Sequence, residues 1–237
     1  MFNAMMRQFV SAAGGIWIGL AGLAAAQTQP VLVELYTSQG CSSCPPADAF
    51  MAQLVNDPDV IALSLHVDYW DYIGWKDTFG NPQFTTRQKA YAKAAGSRML
   101  YTPQMIVDGV DRVEGNDPLK VVESIRRHLS GLSPVTLQVS RDGDRLMIRA
   151  IAEPPLPRGA RVQLVRYMPK ATVLIERGEN AGREVAYHNV VTNWQALAEW
   201  PGLQPFEMET TALGDEPVVV IVQSEGPAEV LAVAAVK

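Results

Sequence analysis

The chain contains two cysteines, Cys41 and Cys44, in the run T-S-Q-G-C-S-S-C-P-P-A-D from Thr37 to Asp48. Two thiols separated by two residues suit dithiol exchange. One thiolate attacks a partner's disulfide, and the second is close enough to resolve the mixed disulfide within the same chain. Cys41, on the exposed loop and so open to a partner, is the expected nucleophile, and Cys44, facing the following helix, is the expected resolving thiol. Other chemistries compete for the same pair. A zinc site needs roughly four nitrogen or sulfur ligands, and only His66, His128 and His188 could join the cysteines. A copper-handling site built on the pair and His66 is the softer version of that alternative. A purely structural disulfide would close a very short loop, and loop-closure stabilisation grows with loop length. The reading adopted is exchange chemistry, with no metal and no cofactor.

The surrounding elements must place this pair. Val31 to Tyr36 is an almost wholly apolar, β-branched run, which predicts a strand buried on both faces. From Ala47 the apolar residues Ala47, Phe50, Met51, Leu54 and Val55 fall on one helical face, and Asn56-Asp57-Pro58 closes the helix. The cysteines therefore sit at the carboxyl end of a strand, on a loop that opens a helix. Helix N-termini favour thiolates. Pro45 and Pro46 carry no N–H, however, so the regular helix is expected to begin around Pro46, and nearby backbone donors of Ser42, Ser43 and Cys44 matter more.

Val60 to Val67 is a second strand, parallel to the first through a βαβ crossover. Asp68 to Asn81 lacks a clean period and is dense in aromatic residues, so it reads as a long loop or insert. Asn81-Pro82 caps a helix that Gly96 stops. Gln104 to Val107 is a short strand, Asp108-Gly109 a turn, and Asp111 to Glu114 returns antiparallel. Asn116-Asp117-Pro118 starts a third helix with Leu119, Val122, Ile125 and Leu129 on one face. Beyond the linker Ser130 to Pro134 the pattern changes to eight short β-type segments: 135–140, 145–151, 161–167, 172–176, 184–191, 207–210, 218–223 and 230–236. Many short strands separated by turn signals predict a β-sandwich or small barrel.

The order strand, helix, strand, helix, strand, strand, helix, with C-S-S-C after the first strand and Tyr101-Thr102-Pro103 before the third, resembles the thioredoxin fold over about Val31 to Leu129. More narrowly, T-S-Q-G-C-S-S-C-P-P-A-D with H-V-D-Y-W-D downstream is similar to a family of exported thioredoxin-like proteins of uncharacterised function. The resemblance implies a βαβαββα thioredoxin-like domain over residues 30–130 of an α/β fold, and the turn-separated strand pattern adds a β-rich, sandwich-like domain over residues 135–237. The resemblance also implies a cis Pro103 beside the cysteines, with Thr102 before it offering backbone groups to an extended substrate. Thioredoxins carry a buried acid on the first strand that assists proton transfer. Glu34 is the nearest match, one residue further from the first cysteine, and a strand-end or paired glutamate is its alternative.

Sites in open α/β sheets gather beyond the carboxyl ends of the strands, which places the aromatic insert near Cys41. Tyr69, Trp70, Tyr72 and Trp75 are then candidates for an apolar rim that selects substrate; simple packing at the sheet edge is the alternative. Trp194, Trp200 and His188 read as core or domain-interface residues.

Residues 1–26 read as an export signal: Arg7 supplies positive charge, Phe9 to Leu23 is mostly apolar, and Ala24-Ala25-Ala26 fits a cleavage site. An uncleaved membrane anchor is the competing reading. Export predicts a periplasmic or secreted protein in a compartment where a disulfide persists. The net charge of −5 over 237 residues excludes the basic footprint of a nucleic-acid binder. The expected partners are exported protein thiols or small thiols, together with a redox partner. A redox-inert binding module and a metal-handling protein are the rival classes.

Overall fold

The computed structural model describes residues 29–236; the expected export segment, residues 1–26, lies outside them. The first strand, β1 (Val31–Thr37), is buried along its whole length. Because successive side chains point to opposite faces, Val31, Val33 and Leu35 pack with α1 (Pro45–Leu54) and α3 (Pro118–Leu129). Leu32 and Tyr36 pack on the other face with Phe84 and Tyr91 of α2 (Pro82–Ala94). Burying a large apolar side chain in such layers contributes about 1.5–3 kcal/mol, so the alternation fixes which helix covers which face.

β1 pairs parallel with β2 (Val60–His66) and antiparallel with β3 (Gln104–Val107), which in turn pairs antiparallel with β4 (Asp111–Glu114). The spatial order β2-β1-β3-β4 with three helices is that of a thioredoxin-like α/β unit. α1 starts at Pro45, one residue earlier than expected, because Cys44 adopts helical angles (φ −78°, ψ −33°) despite the proline after it. The Asn81 side chain accepts from Gln83 N–H and caps α2 as its sequence predicts.

The β-rich portion contains seven strands. They are β5 (Val135–Asp142), β6 (Arg145–Ala152), β7 (Ala160–Leu174), β8 (Glu184–Trp200), β9 (Phe206–Thr211), β10 (Val218–Ser224) and β11 (Val230–Val236). The expected break after Tyr167 does not occur, and segments 161–167 and 172–176 fuse into β7. On the β7 side the ladder with β8 skips only Pro169, which has no N–H to donate, opposite Asn189, whose φ is +47°. The Asn189 side chain donates instead to Ala62 O of β2 at 2.8 Å.

That contact lies at a junction that sequence periodicity does not reveal. β8 bridges β2 in parallel at Ser64 and Val190, so β11-β10-β7-β8 continues the β2-β1-β3-β4 sheet into one of eight strands. β5, β6 and β9 form a separate three-stranded sheet that packs over this extension. The sandwich core lies between them, with Leu146, Ile148 and Ala150 facing Val162, Leu164, Val218 and Val220. A second core, containing Phe84, Tyr91, Val165, Trp194, Val219 and Ile221, joins α2 to both halves of the large sheet.

Candidate functional site

Cys41 and Cys44 form a disulfide, with their Cα atoms 5.4 Å apart. They lie between the end of β1 and the first residue of α1, as the sequence implies. The loop is exposed at Ser42 and Ser43, but Cys41 is only 2% exposed and Cys44 0%, so the expectation of an openly accessible nucleophile is corrected. The turn is closed by backbone bonds from Cys41 N–H to Ser38 O and from Cys44 N–H to Cys41 O. These draw the sulfur atoms inward and leave the two serines at the crest.

The corner before β3 faces this loop. Ser43 Oγ stands 3.4 Å from Cys41 Sγ and donates to Thr102 O at 3.3 Å. The Thr102–Pro103 peptide is cis. Gly115 N–H donates to Pro103 O, and a Cβ on Gly115 would stand 2.9 Å from Pro103 Cβ and 3.2 Å from Ala47 Cβ. Gly115 is therefore required for the corner to seat against α1.

Trp70 joins the same corner. Its Nε1 donates to Thr102 Oγ1 at 2.7 Å, and its Cβ lies 3.3 Å from where a side chain on Gly40 would begin. Tyr72, 79% exposed, stacks on Trp70 with ring centroids 6.4 Å apart. Trp75 reaches the loop indirectly, donating to Gln39 Oε1 at 2.8 Å. Tyr69 turns inward instead, its hydroxyl bonding Gln88 Oε1 at 3.2 Å, and burial pushes its phenol up to about 12. Among the rim candidates, Trp70 bonds the Thr102 corner, Trp75 bonds the segment leading into the cysteine loop, Tyr72 stacks on that rim, and Tyr69 is tied to α2.

Glu34 takes the paired reading. Its carboxylate accepts from Arg87 Nε at 2.7 Å and Nη2 at 2.8 Å, and from the Tyr91 and Tyr36 hydroxyls. This network sits on the α2 face of β1, opposite α1 and therefore opposite the helix that Cys44 opens. The buried acid on the α1 side is Asp48, which sequence reasoning missed. Its N–H donates to Cys44 O at 3.1 Å, and its Oδ1 accepts from Thr37 Oγ1 at 2.7 Å. Burial pushes the Asp48 carboxyl up to about 7 against the opposing influence of His66 and the Thr37 hydroxyl. The sequence did carry a signal: an acid four residues after Cys44, inside an otherwise apolar helix face.

His66 does not approach as a ligand for the cysteines; its Nδ1 pairs with Asp77 Oδ2 at 2.8 Å, both side chains fully buried. Burial works to raise the Asp77 carboxyl, but His66 and the N–H groups of Gln39 and Phe79 outweigh it and hold the group below the usual range. Gln39 connects these parts. It accepts from Trp75, donates to Thr78 Oγ1 and bonds Asp77 through its N–H. Its carbonyl accepts from Asn180 Nδ2 at 2.9 Å, and so does that of Cys41. Asn180 belongs to the β7–β8 turn, some 140 residues along the chain, a separation that no local pattern can bridge.

Fold and site together define an α/β protein with a thioredoxin-like unit whose cysteine pair is oxidised at a strand-to-helix junction. The chain belongs to the family described as "Protein of unknown function (DUF1223)", whose model matches residues 32–223 and so spans both the cysteine loop and Asn180. It is similar to a protein from Agrobacterium tumefaciens of known X-ray crystal structure, at 30% identity and a TM-score of 0.75 over 90% of this chain and 96% of that one. The likeness to a hypothetical protein from Pyrococcus horikoshii OT3, at 9% identity and a TM-score of 0.22 over 43% of this chain and 84% of that one, carries no argument. No curated protein matches.

Proposed function

We propose that this protein is an exported thiol–disulfide oxidoreductase that exchanges disulfides with protein or small-thiol substrates through Cys41 and Cys44. The observation that carries the reading is the position of the disulfide: it closes a strand-to-helix loop whose Ser43 bonds the Thr102 carbonyl and lies next to Cys41 Sγ. An extended substrate would lie along Thr102 and Pro103, with Trp70 and Tyr72 beside it.

In the reduced protein, Cys41 thiolate attacks a partner disulfide, forming a mixed disulfide and releasing one partner thiolate, which takes a proton. Asp48, a buried carboxyl whose own N–H bonds the Cys44 carbonyl, would accept the Cys44 proton. Cys44 thiolate then attacks Cys41 Sγ, restores the intramolecular disulfide and releases the second partner thiolate. The partner gains two electrons and the cysteine pair loses two. Run in reverse, the same steps oxidise a partner dithiol, and a second dithiol or disulfide protein resets the pair. A persistent disulfide fits the oxidising compartment that the amino-terminal segment implies. Among the described residues, no helix is long and apolar enough to cross a membrane.

The burial of both cysteines favours one rival, a redox-inert binding module with a locked disulfide. A glutathione redox titration followed by alkylation and mass measurement decides between them. Exchange predicts a midpoint above about −300 mV, and a Cys44→Ser variant that accumulates mixed disulfides on Cys41. A midpoint well below about −300 mV with no trapped partner supports the binding module and overturns the proposal.

A further inference from the structure

The carbonyl groups around the cysteine loop are held from the far half of the chain. β7 and β8 are 15 and 17 residues long, and their connecting tip, residues 175–183, reaches the redox end of the sheet. The tip is closed on itself by bonds from Gly182 N–H to Ile175 O, Ala181 N–H to Gly178 O, and Arg183 N–H to Asn180 O. It is seated on the aromatic insert at Gly178, whose φ of +77° suits glycine and where a Cβ would stand 3.2 Å from Trp75 Cβ. Within this otherwise exposed tip only Ile175 and Asn180 are buried. Asn180 Nδ2 donates to Gln39 O and to Cys41 O, each at 2.9 Å.

We propose that Asn180 is a positioning residue for disulfide exchange: its amide N–H group fixes the Gln39 and Cys41 carbonyls and offsets their negative ends in the loop that carries the Cys41 sulfur. The β-rich portion thereby becomes part of the redox site. This inference rests on the exchange function proposed above.

The physical argument has two parts. A buried carbonyl without a donor is costly, and its oxygen, carrying partial negative charge near a forming thiolate, disfavours that thiolate. An N–H group bound to the oxygen opposes this field, and in a buried setting neither effect is screened by water. Cys41 O also accepts from Cys44 N–H at 3.2 Å. Asn180 thus supplies its second donor and anchors the residue two positions before the nucleophile.

The test uses the reduced full chain, alkylated with iodoacetamide across a pH series, with the modification of each cysteine read by mass spectrometry. Asn180→Ala should raise the Cys41 midpoint by about one pH unit, leaving roughly tenfold less thiolate below the midpoint. Asn180→Asp keeps the shape but replaces the donor by a charged acceptor, and should raise the midpoint further. Thermal unfolding reports whether each variant is folded, and if Asn180→Ala is not, Asn180→Asp decides. If neither folds, the side-chain amide resonances of Asn180 in the wild-type chain decide, because they should titrate with the Cys41 midpoint. Unchanged midpoints in folded variants, or amide resonances that do not follow Cys41, overturn the proposal. Alkylation needs no exchange partner, so these outcomes separate from a failure of the exchange reaction, which a wild-type chain inert toward glutathione would reveal.

Discussion

Replacing Asp48 by asparagine should make the protein's stability markedly less sensitive to pH. Asp48 lies in the α1 layer of the core without a bonded cation, its Oδ1 held by Thr37 Oγ1 at 2.7 Å. Burial raises its carboxyl from the ordinary 3.8 to about 7. A raised folded-state value means that the native protein binds this proton more tightly than the unfolded chain does. The associated stability is therefore complete below about pH 4 and is lost as pH rises through about 7. About three units at roughly 1.4 kcal/mol each gives about 4 kcal/mol lost over that window. The substituted amide has no proton to lose, yet its oxygen can still accept from Thr37. The difference in unfolding free energy between Asp48→Asn and the wild type should therefore shift in favour of the variant by about 4 kcal/mol between about pH 4 and pH 8. Urea titrations at one-unit pH intervals, with the disulfide kept oxidised, measure it from the midpoint at constant slope. A difference that stays constant within about 1 kcal/mol over this range would refute the reasoning, because it would mean Asp48 ionises as easily in the fold as in the unfolded chain.

Two further expectations follow from the contacts. Arg87→Ala strips the cation from Glu34, whose side chain is fully buried, and removes the guanidinium stacked 3.9 Å above the Trp194 ring. Leaving a buried charge unpaired costs about 3–5 kcal/mol, so urea unfolding should register a loss of that size, with partial recovery when Glu34→Gln is added. A loss below about 1 kcal/mol would contradict the pairing. Trp70→Phe removes the 2.7 Å bond to Thr102 Oγ1 but keeps most of the ring. Stability should fall by only about 1 kcal/mol, whereas exchange with a peptide disulfide should fall at least about tenfold. Proportionate losses in both would mean that Trp70 serves packing alone.

Much of the site was legible because its signals are local. The cysteine spacing, the apolar alternation of Val31 to Tyr36 and the helical period from Ala47 place the disulfide at its junction, while the facing Thr102-Pro103 corner was implied by the resemblance to the thioredoxin fold. Asn81-Pro82 and Asp117-Pro118 likewise specify where α2 and α3 begin. Glu34 shows where local pattern stops. Its strand and burial were readable, but its partner Arg87 lies 53 residues away, on a helix whose face toward β1 is settled only by packing. Asp48 was hidden for a related reason: an acid in an apolar stripe is recognisable, but its significance depends on Thr37 and His66 closing around it.

By itself, the sequence determined the secondary elements from β1 to α3, the β1-loop-α1 placement of the cysteines and the change to a β-rich pattern after Pro134, because each follows from periodicity or from the stereochemistry of proline and glycine, whereas the lengths of β7 and β8 were settled by their pairing. Tertiary structure alone decided that β8 docks beside β2 to extend one sheet across both portions, and that the β7–β8 tip delivers Asn180 to the cysteine loop. Those contacts join residues more than a hundred positions apart, and their energy depends on shape and hydrogen-bond satisfaction between surfaces that exist only once the chain has folded.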